Sequence, residues 1–178
     1  MRPHWQAFAV ETIAAELQRL GRNARVLEFG CGDSTIWLSK LCDRVTSIEH
    51  DPDWFAKIQP QVPNVELLLE HRPYYNVCQR YPDETFDIVL VDGRNRKGCI
   101  RESALKVKPG GLLLLDDAER EYYKLGIGVI LVWDLIPVPE AIPGDRLEQT
   151  RVWRRPAPDG NDVPLKLVDR INRARRQV

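Results

Sequence analysis

The residues of this chain best placed to do chemistry are two glycines and a scattered set of carboxylates. Gly30 and Gly32 interrupt the stretch VLEFGCGDST, Val26 to Thr35, where an apolar run gives way to Ser-Thr. A residue without a Cβ admits a tight backbone and lets a ligand come close. A helix beginning near Ser34 would aim unpaired N–H groups at the same space, which favours a nucleotide-like group or a carboxylate. Glu28 lies just before the turn, where it could orient the loop or accept from an amino group. Farther along, Asp92, Asp116 and Asp117 each follow an apolar run. Asp92 or Asp116 could serve as general base for a hydroxyl or position it by hydrogen bonding, and Asp117 could equally cap the segment Ala118 to Tyr123. Arg94, Arg96 and Lys97 share one loop with Asp92, and Arg120, Tyr122 and Tyr123 follow Asp117. Such basic groups can clamp a carboxylate or phosphate on a substrate.

These residues need a scaffold that brings them together, and the hydrophobic pattern predicts one. Short β-branched or leucine-rich runs occur at Arg25 to Phe29, Arg44 to Glu49, Val65 to Leu69, Phe86 to Val91 and Gly111 to Leu115. Helical or irregular stretches separate them. Runs such as IVLV and LLLL have no polar face to give to water, so they predict a parallel sheet covered on both sides. Trp5, Phe8, Ala9, Ile13, Leu17 and Leu20 predict an N-terminal docking helix over residues 3–20, stopped at Gly21. Asp33 or Ser34 is expected to cap a helix to Leu41, and Asp51 one that starts at Pro52. Pro109-Gly110-Gly111 reads as the turn that closes a helix from Gly98 to Val107. From Trp133 two extended stretches separated by a proline-containing loop predict an antiparallel pair. The expected fold is α/β: a doubly wound, mostly parallel, seven-stranded sheet with helices on both faces and a C-terminal antiparallel strand pair. In such a sheet the glycine turn and all three aspartates face one crevice at the strand ends.

On these residues the chain resembles the class I S-adenosylmethionine-dependent methyltransferases, in their small single-domain form. The matching motif is Glu28-Phe29-Gly30-Cys31-Gly32, with Glu49 in the place of the acid that accepts the ribose hydroxyls; FDIVLVDG (Phe86 to Gly93) and KPGGLLLLDD (Lys108 to Asp117) match the fourth and fifth strands. The resemblance spans about residues 24–153. It implies that Gly30, Cys31 and Gly32 lie against the methionine portion of S-adenosylmethionine, that Glu49 holds the ribose, and that Glu28, Ser34 and Thr35 belong to the same cofactor site. His50, Glu70 and His71 would flank the cofactor, the last two near adenine. A narrower resemblance, to metal-dependent O-methyltransferases of the catechol type, would let Asp92, Asp116 and Asp117 hold a divalent cation such as Mg²⁺. This chain departs from that pattern, with Asp117 where an asparagine is expected and Asn95 where a lysine is. A dinucleotide motif would want a small residue where Thr35 stands. The expected function is methyl transfer to a small polar acceptor, an oxygen nucleophile. The alternatives are a methyltransferase-fold binding protein without turnover and an NAD(P)-binding oxidoreductase.

The 178 residues are the usual length of one domain. Residues 1–155 are expected to form it, with 156–178 as a basic tail. The 26 basic and 26 acidic side chains cancel, so charge gives no argument for nucleic acid or a membrane surface and favours a small-molecule partner. Cys31, Cys42, Cys78 and Cys99 lack C-x-x-C spacing, which predicts free thiols in a reducing, cytoplasmic setting. Nothing in the sequence speaks to oligomeric state.

Overall fold

Strands β1 (Arg25–Phe29), β2 (Arg44–Glu49), β3 (Glu66–Leu69), β4 (Phe86–Val91), β5 (Val107–Leu115), β6 (Asp134–Leu135) and β7 (Arg151–Arg154) form one seven-stranded sheet in the order β3-β2-β1-β4-β5-β7-β6. They come from a computed structural model that describes residues 2–71, 73–138 and 150–157. β1 to β5 are parallel, whereas β7 runs antiparallel to both β5 and β6. The loop expected between the last two strands, and nearly all of the basic tail, lie outside the described residues.

Alternation along the strands builds two cores. Leu27, Phe29, Val89, Val91, Leu113 and Leu115 pack on one face, against Cys99 and Ile100 of helix α4 (Arg96–Ser103). Val26, Ile88, Leu90, Leu112 and Leu114 pack on the other, against Ile13 and Leu17 of α1 (Ala7–Leu20) and Leu38 of α2 (Asp33–Leu41). Successive strand residues point to opposite faces, so a sheet covered on both sides takes apolar residues on both, with the buried Glu28, Thr46, Ser47 and Glu49 of β1 and β2 set among them. Helix α3 (Pro52–Ile58) starts as expected, with Asp51 Oδ1 accepting from the amides of Asp53 and Trp54. Among the described residues no helix is long and apolar enough to cross a membrane, and all four cysteines are free and buried.

Three local expectations change. The N-terminal helix begins at Ala7, leaving Trp5 ahead of it, buried but free to reach the site. Pro109-Gly110-Gly111 is no helix-closing turn. The helix ends at Ser103, and β5 already pairs at Val107 with Phe86 and resumes at Leu112 with Ile88. The intervening residues form a bulge whose backbone bonds to Arg155 instead. Beyond β5, Asp117 takes a left-handed backbone (φ 52°), and a short 3₁₀ turn at Glu121–Tyr123 leads into α5 (Lys124–Ile127) where a helix from Ala118 was expected.

Candidate functional site

The turn after β1 is braced from below and from the side. Glu28 is wholly buried and accepts from the hydroxyls of Ser34, Thr35 (2.6 Å) and Ser47 (2.7 Å). Burial raises its carboxyl above the ordinary range, opposed by these three donors. Thr35 Oγ1 also accepts from the Gly32 amide at 2.8 Å. The Ser34 hydroxyl is therefore directed to Glu28 and is not the helix cap, and Glu28 and Thr35 stand beneath the turn, off the cavity wall. Glu49, also buried, closes the turn from β2. Its Oε2 accepts from the Cys31 amide (3.1 Å), and its Oε1 from the amides of His50 (2.7 Å) and Asp51 (2.9 Å). Trp54 of α3 donates its indole N–H to the Cys31 carbonyl at 2.6 Å. Cys31 itself stays a thiol: burial and the charges of Glu49 and Glu28 push it well above its usual range.

Beyond this turn opens a cavity of about 900 Å³, bounded by Gly30 to Ser34, Glu49, Trp54, Asp92 to Arg96, Asp117, Arg120, Tyr122 and Tyr123, with Trp5 and His4 from the N-terminal segment. It lies where β1 and β4 diverge, the place at which open α/β sheets bind ligands. On its far side Arg96 gathers the three aspartates. Its guanidinium is 3.0 Å from Asp92 Oδ1, 3.1 Å from Asp117 Oδ2 and 3.5 Å from Asp116 Oδ2, and it donates to the carbonyls of Gly93, Asp92 and Asp116. With only 8% of its surface exposed, Arg96 is not available to clamp a substrate as its loop position led one to expect. Nor do the aspartates fit a divalent cation, because Arg96 already occupies the space they enclose, and among the described residues no His/Cys/Asp/Glu group has the geometry to hold a metal.

Two further donors fix the acids. Trp5 Nε1 donates to Asp92 Oδ2 at 2.9 Å, and Thr150 Oγ1 to Asp116 Oδ1 at 2.7 Å. Burial and the neighbouring Asp116 carboxylate push Asp92 up to about 7, against the pull of Arg96 and Trp5. A carboxyl whose folded value is raised adds stability that is complete below its unfolded value, near 4, and disappears as pH climbs through about 7. Thermal melts should therefore show Tm falling between about pH 5 and about pH 8, and Asp92→Asn should flatten that slope. Parallel slopes in the two proteins would assign the titration to another group.

No protein-family model and no curated protein matches this chain. Solved structures do. A methyltransferase-like protein from Silicibacter pomeroyi is 21% identical with a TM-score of 0.58, over 96% of this chain and 97% of that one. The N-methyltransferase NodS from Bradyrhizobium japonicum is 17% identical with a TM-score of 0.53, over 82% and 96%. An rRNA methylase from Streptococcus thermophilus has a TM-score of 0.61 at 12% identity, over 84% and 96%. The chain has the Rossmann-like methyltransferase fold. At these identities the likeness concerns the fold, and NodS has also been solved in complex with S-adenosyl-L-homocysteine.

Within this methyltransferase fold the sequence-predicted residues divide. Gly30, Cys31, Gly32, Ser34, Glu49, His50, Asp92 and Asp117 line the cavity, with Asp116 directly behind them on Arg96. Glu70 and His71 do not. The Glu70 carboxylate pairs with Arg80 while its amide donates to the Glu49 carbonyl at 2.8 Å, and His71 is exposed. Trp5, His4, Asp33 and Trp54 are lining residues that sequence reasoning did not assign to the site. Trp5 carried no signal, since an aromatic at helical spacing reads as core. Trp54 follows Pro52 in α3, and its indole finds the glycine turn only through the β2–α3 connection.

Proposed function

We propose that the chain is an S-adenosylmethionine-dependent methyltransferase acting on a small polar acceptor through an oxygen nucleophile. The observation that carries the reading is the open face of the glycine turn: a Cβ built at Gly32 would meet nothing but Trp54 Nε1, at 3.9 Å. The fixed turn thus has room for a ligand beside it, and Glu49 Oε2, with one amide bound, retains a lone pair for a ribose hydroxyl. Bound S-adenosylmethionine would supply a cationic sulfonium with an electrophilic methyl group. On this reading Gly30, Cys31, Gly32 and Ser34 seat the methionine portion, Glu49 takes the ribose, and His50 flanks it. Glu28 and Thr35 act through the turn that they brace.

Across the cavity, Asp92 is the residue to accept the proton of an acceptor hydroxyl. Its value of about 7 suits proton transfer at neutral pH, where a base must be partly deprotonated yet strong enough to act. Trp5 and Arg96 hold its two oxygens, so the carboxylate is oriented before the acceptor arrives. Arg96 supplies the positive charge among the aspartates.

Calorimetric titration tests the donor assignment. S-adenosylmethionine is expected to bind and NAD not to. Glu49→Gln keeps an acceptor oxygen but loses the charge, and should weaken S-adenosylmethionine about tenfold, the worth of a charge-assisted hydrogen bond. Preference for NAD would overturn the reading, and an unchanged affinity in the folded variant would remove Glu49 from the ribose.

A further inference from the structure

Among the described residues, Arg94 is the one arginine of the cavity wall with no acid to hold. Arg96 is enclosed by Asp92, Asp116 and Asp117, and Arg120 pairs with Asp117 at 2.7 Å. Arg94 lines the same cavity, is exposed, and has neither an ion pair nor a side-chain hydrogen bond among the described residues. Its backbone is nevertheless fixed, because its carbonyl accepts from the Tyr74 hydroxyl and from Cys99 Sγ at 3.5 Å. Its guanidinium is carried on a fixed backbone into a cavity whose other two arginines are already held by acids, so among the described residues it is the arginine left to meet an anion.

The same cavity wall carries an aromatic side chain that the fold leaves largely exposed. Tyr122 lines the cavity with 65% of its surface exposed, edge-on to Tyr123 at a ring separation of 5.7 Å. The Lys97 ammonium lies 5.5 Å from the Tyr122 ring centroid and adds a second cation at this rim. The geometry points to an acceptor that is a small aromatic compound bearing a carboxylate or phosphate, its anion on Arg94 and its ring on Tyr122. This rests on the methyltransferase reading above and narrows its acceptor class. A nucleic acid would bring many phosphates, and the chain's 26 basic and 26 acidic side chains cancel, so net charge gives no argument for one.

The test uses full-length protein saturated with S-adenosylhomocysteine, whose binding is measured first; failure at that stage overturns the methyltransferase reading itself. Benzoate, phenyl phosphate and neutral benzyl alcohol are then titrated. At least one anion is expected to bind about tenfold more tightly than the alcohol, and the better of the two anions says which group the acceptor carries. Arg94→Gln should abolish the preference while leaving S-adenosylhomocysteine affinity and Tm unchanged, and Arg94→Lys should restore part of it. Tyr122→Ala should weaken all three probes alike. Equal binding of anions and alcohol, or no binding of either anion, overturns the proposal. So does weaker S-adenosylhomocysteine binding by Arg94→Gln, which would place Arg94 on the donor. Tighter binding of a short single-stranded RNA than of either anion, lost in Arg94→Gln, would also overturn it in favour of an RNA acceptor.

Discussion

Arg96→Met is expected to destabilise the protein by about 3 kcal/mol at neutral pH, the lower end of what breaking a buried ion pair costs, which corresponds to a Tm drop of roughly 6 to 12 °C for a chain of this size. The side chain that is lost meets three carboxylates at 3.0, 3.1 and 3.5 Å. Methionine has similar bulk, so the loss is one of charge and hydrogen bonds more than of volume. The lower end applies because the aspartate side chains keep about a fifth to a quarter of their surface in water. Without the guanidinium, Asp92, Asp116 and Asp117 repel one another, and repulsion favours their protonated forms in the folded state. Carboxyl values raised by folding contribute stability at low pH that is lost as pH rises. The deficit of Arg96→Met against the wild type should therefore be larger near pH 8 than near pH 5 in urea unfolding. A deficit independent of pH would mean that Arg96 matters for packing alone. Because Arg96 already provides the positive charge of this cluster, a chelator is expected to leave the wild type's Tm, and any rate of the proposed methyl transfer, unchanged.

The same cluster shows what a sequence can and cannot disclose. Strands β1, β2 and β4 are legible to the residue: β4 because burial on both faces leaves the run IVLV almost wholly apolar, and β1 and β2 because short β-branched or leucine-bearing runs end there at a glycine turn and at a helix start, while the alternation with helices marks the strands as parallel. β5 is misread at its start, since Pro109-Gly110-Gly111 has the composition of a turn whether or not a neighbouring strand accepts the residues around it. The convergence of Asp92, Asp116 and Asp117 is foreseeable from topology. That Arg96 fills their centre is not, because its rotamer depends on which acids the folded sheet has brought within reach.

Glu28 is the opposite case, a residue whose role was available from the strand period. Leu27 and Phe29 enter one core and Val26 the other, so Glu28 must point to the face of Val26, where α2 packs. Ser47, its register partner on β2, points the same way. Those two placements direct the Glu28 carboxylate to the hydroxyls of Ser34, Thr35 and Ser47 and away from any ligand above the turn. Trp5 and Thr150 had no such rule. They reach Asp92 and Asp116 from opposite ends of the described chain, a contact between segments that no local pattern relates.

The two glycines of the motif are expected to fail in different ways when a methyl group is added. At Gly30 the backbone has φ 93°, and a Cβ would stand 2.7 Å from Gly93 Cα and 2.8 Å from Gly93 N. Both atoms belong to the backbone of the turn after β4, which cannot withdraw without separating β4 from β1. Left-handed strain of roughly 1 to 2 kcal/mol adds to an overpacking cost of about 1 to 3 kcal/mol. Gly30→Ala should thus lose a large share of the protein's stability, seen as a lower urea midpoint or loss of soluble protein. Gly32 has φ 171°, an extended backbone open to any residue, and clear space around its Cβ position. Gly32→Ala should fold with a Tm close to wild type, since substitutions away from strain and packing stay within about 0.5 kcal/mol. Its added methyl group would instead occupy the cavity beside the turn, where the proposed methyl donor lies, and S-adenosylmethionine should bind at least about tenfold more weakly, a loss of about 1.4 kcal/mol. Unchanged binding by a folded Gly32→Ala would mean that the donor does not rest on this turn. A stable Gly30→Ala would mean that the β1 and β4 turns are not held together as the Gly30–Gly93 contact requires. Of the two, Gly30 keeps the strand ends in register and Gly32 keeps the space above them clear, so the first is read in unfolding and the second in binding.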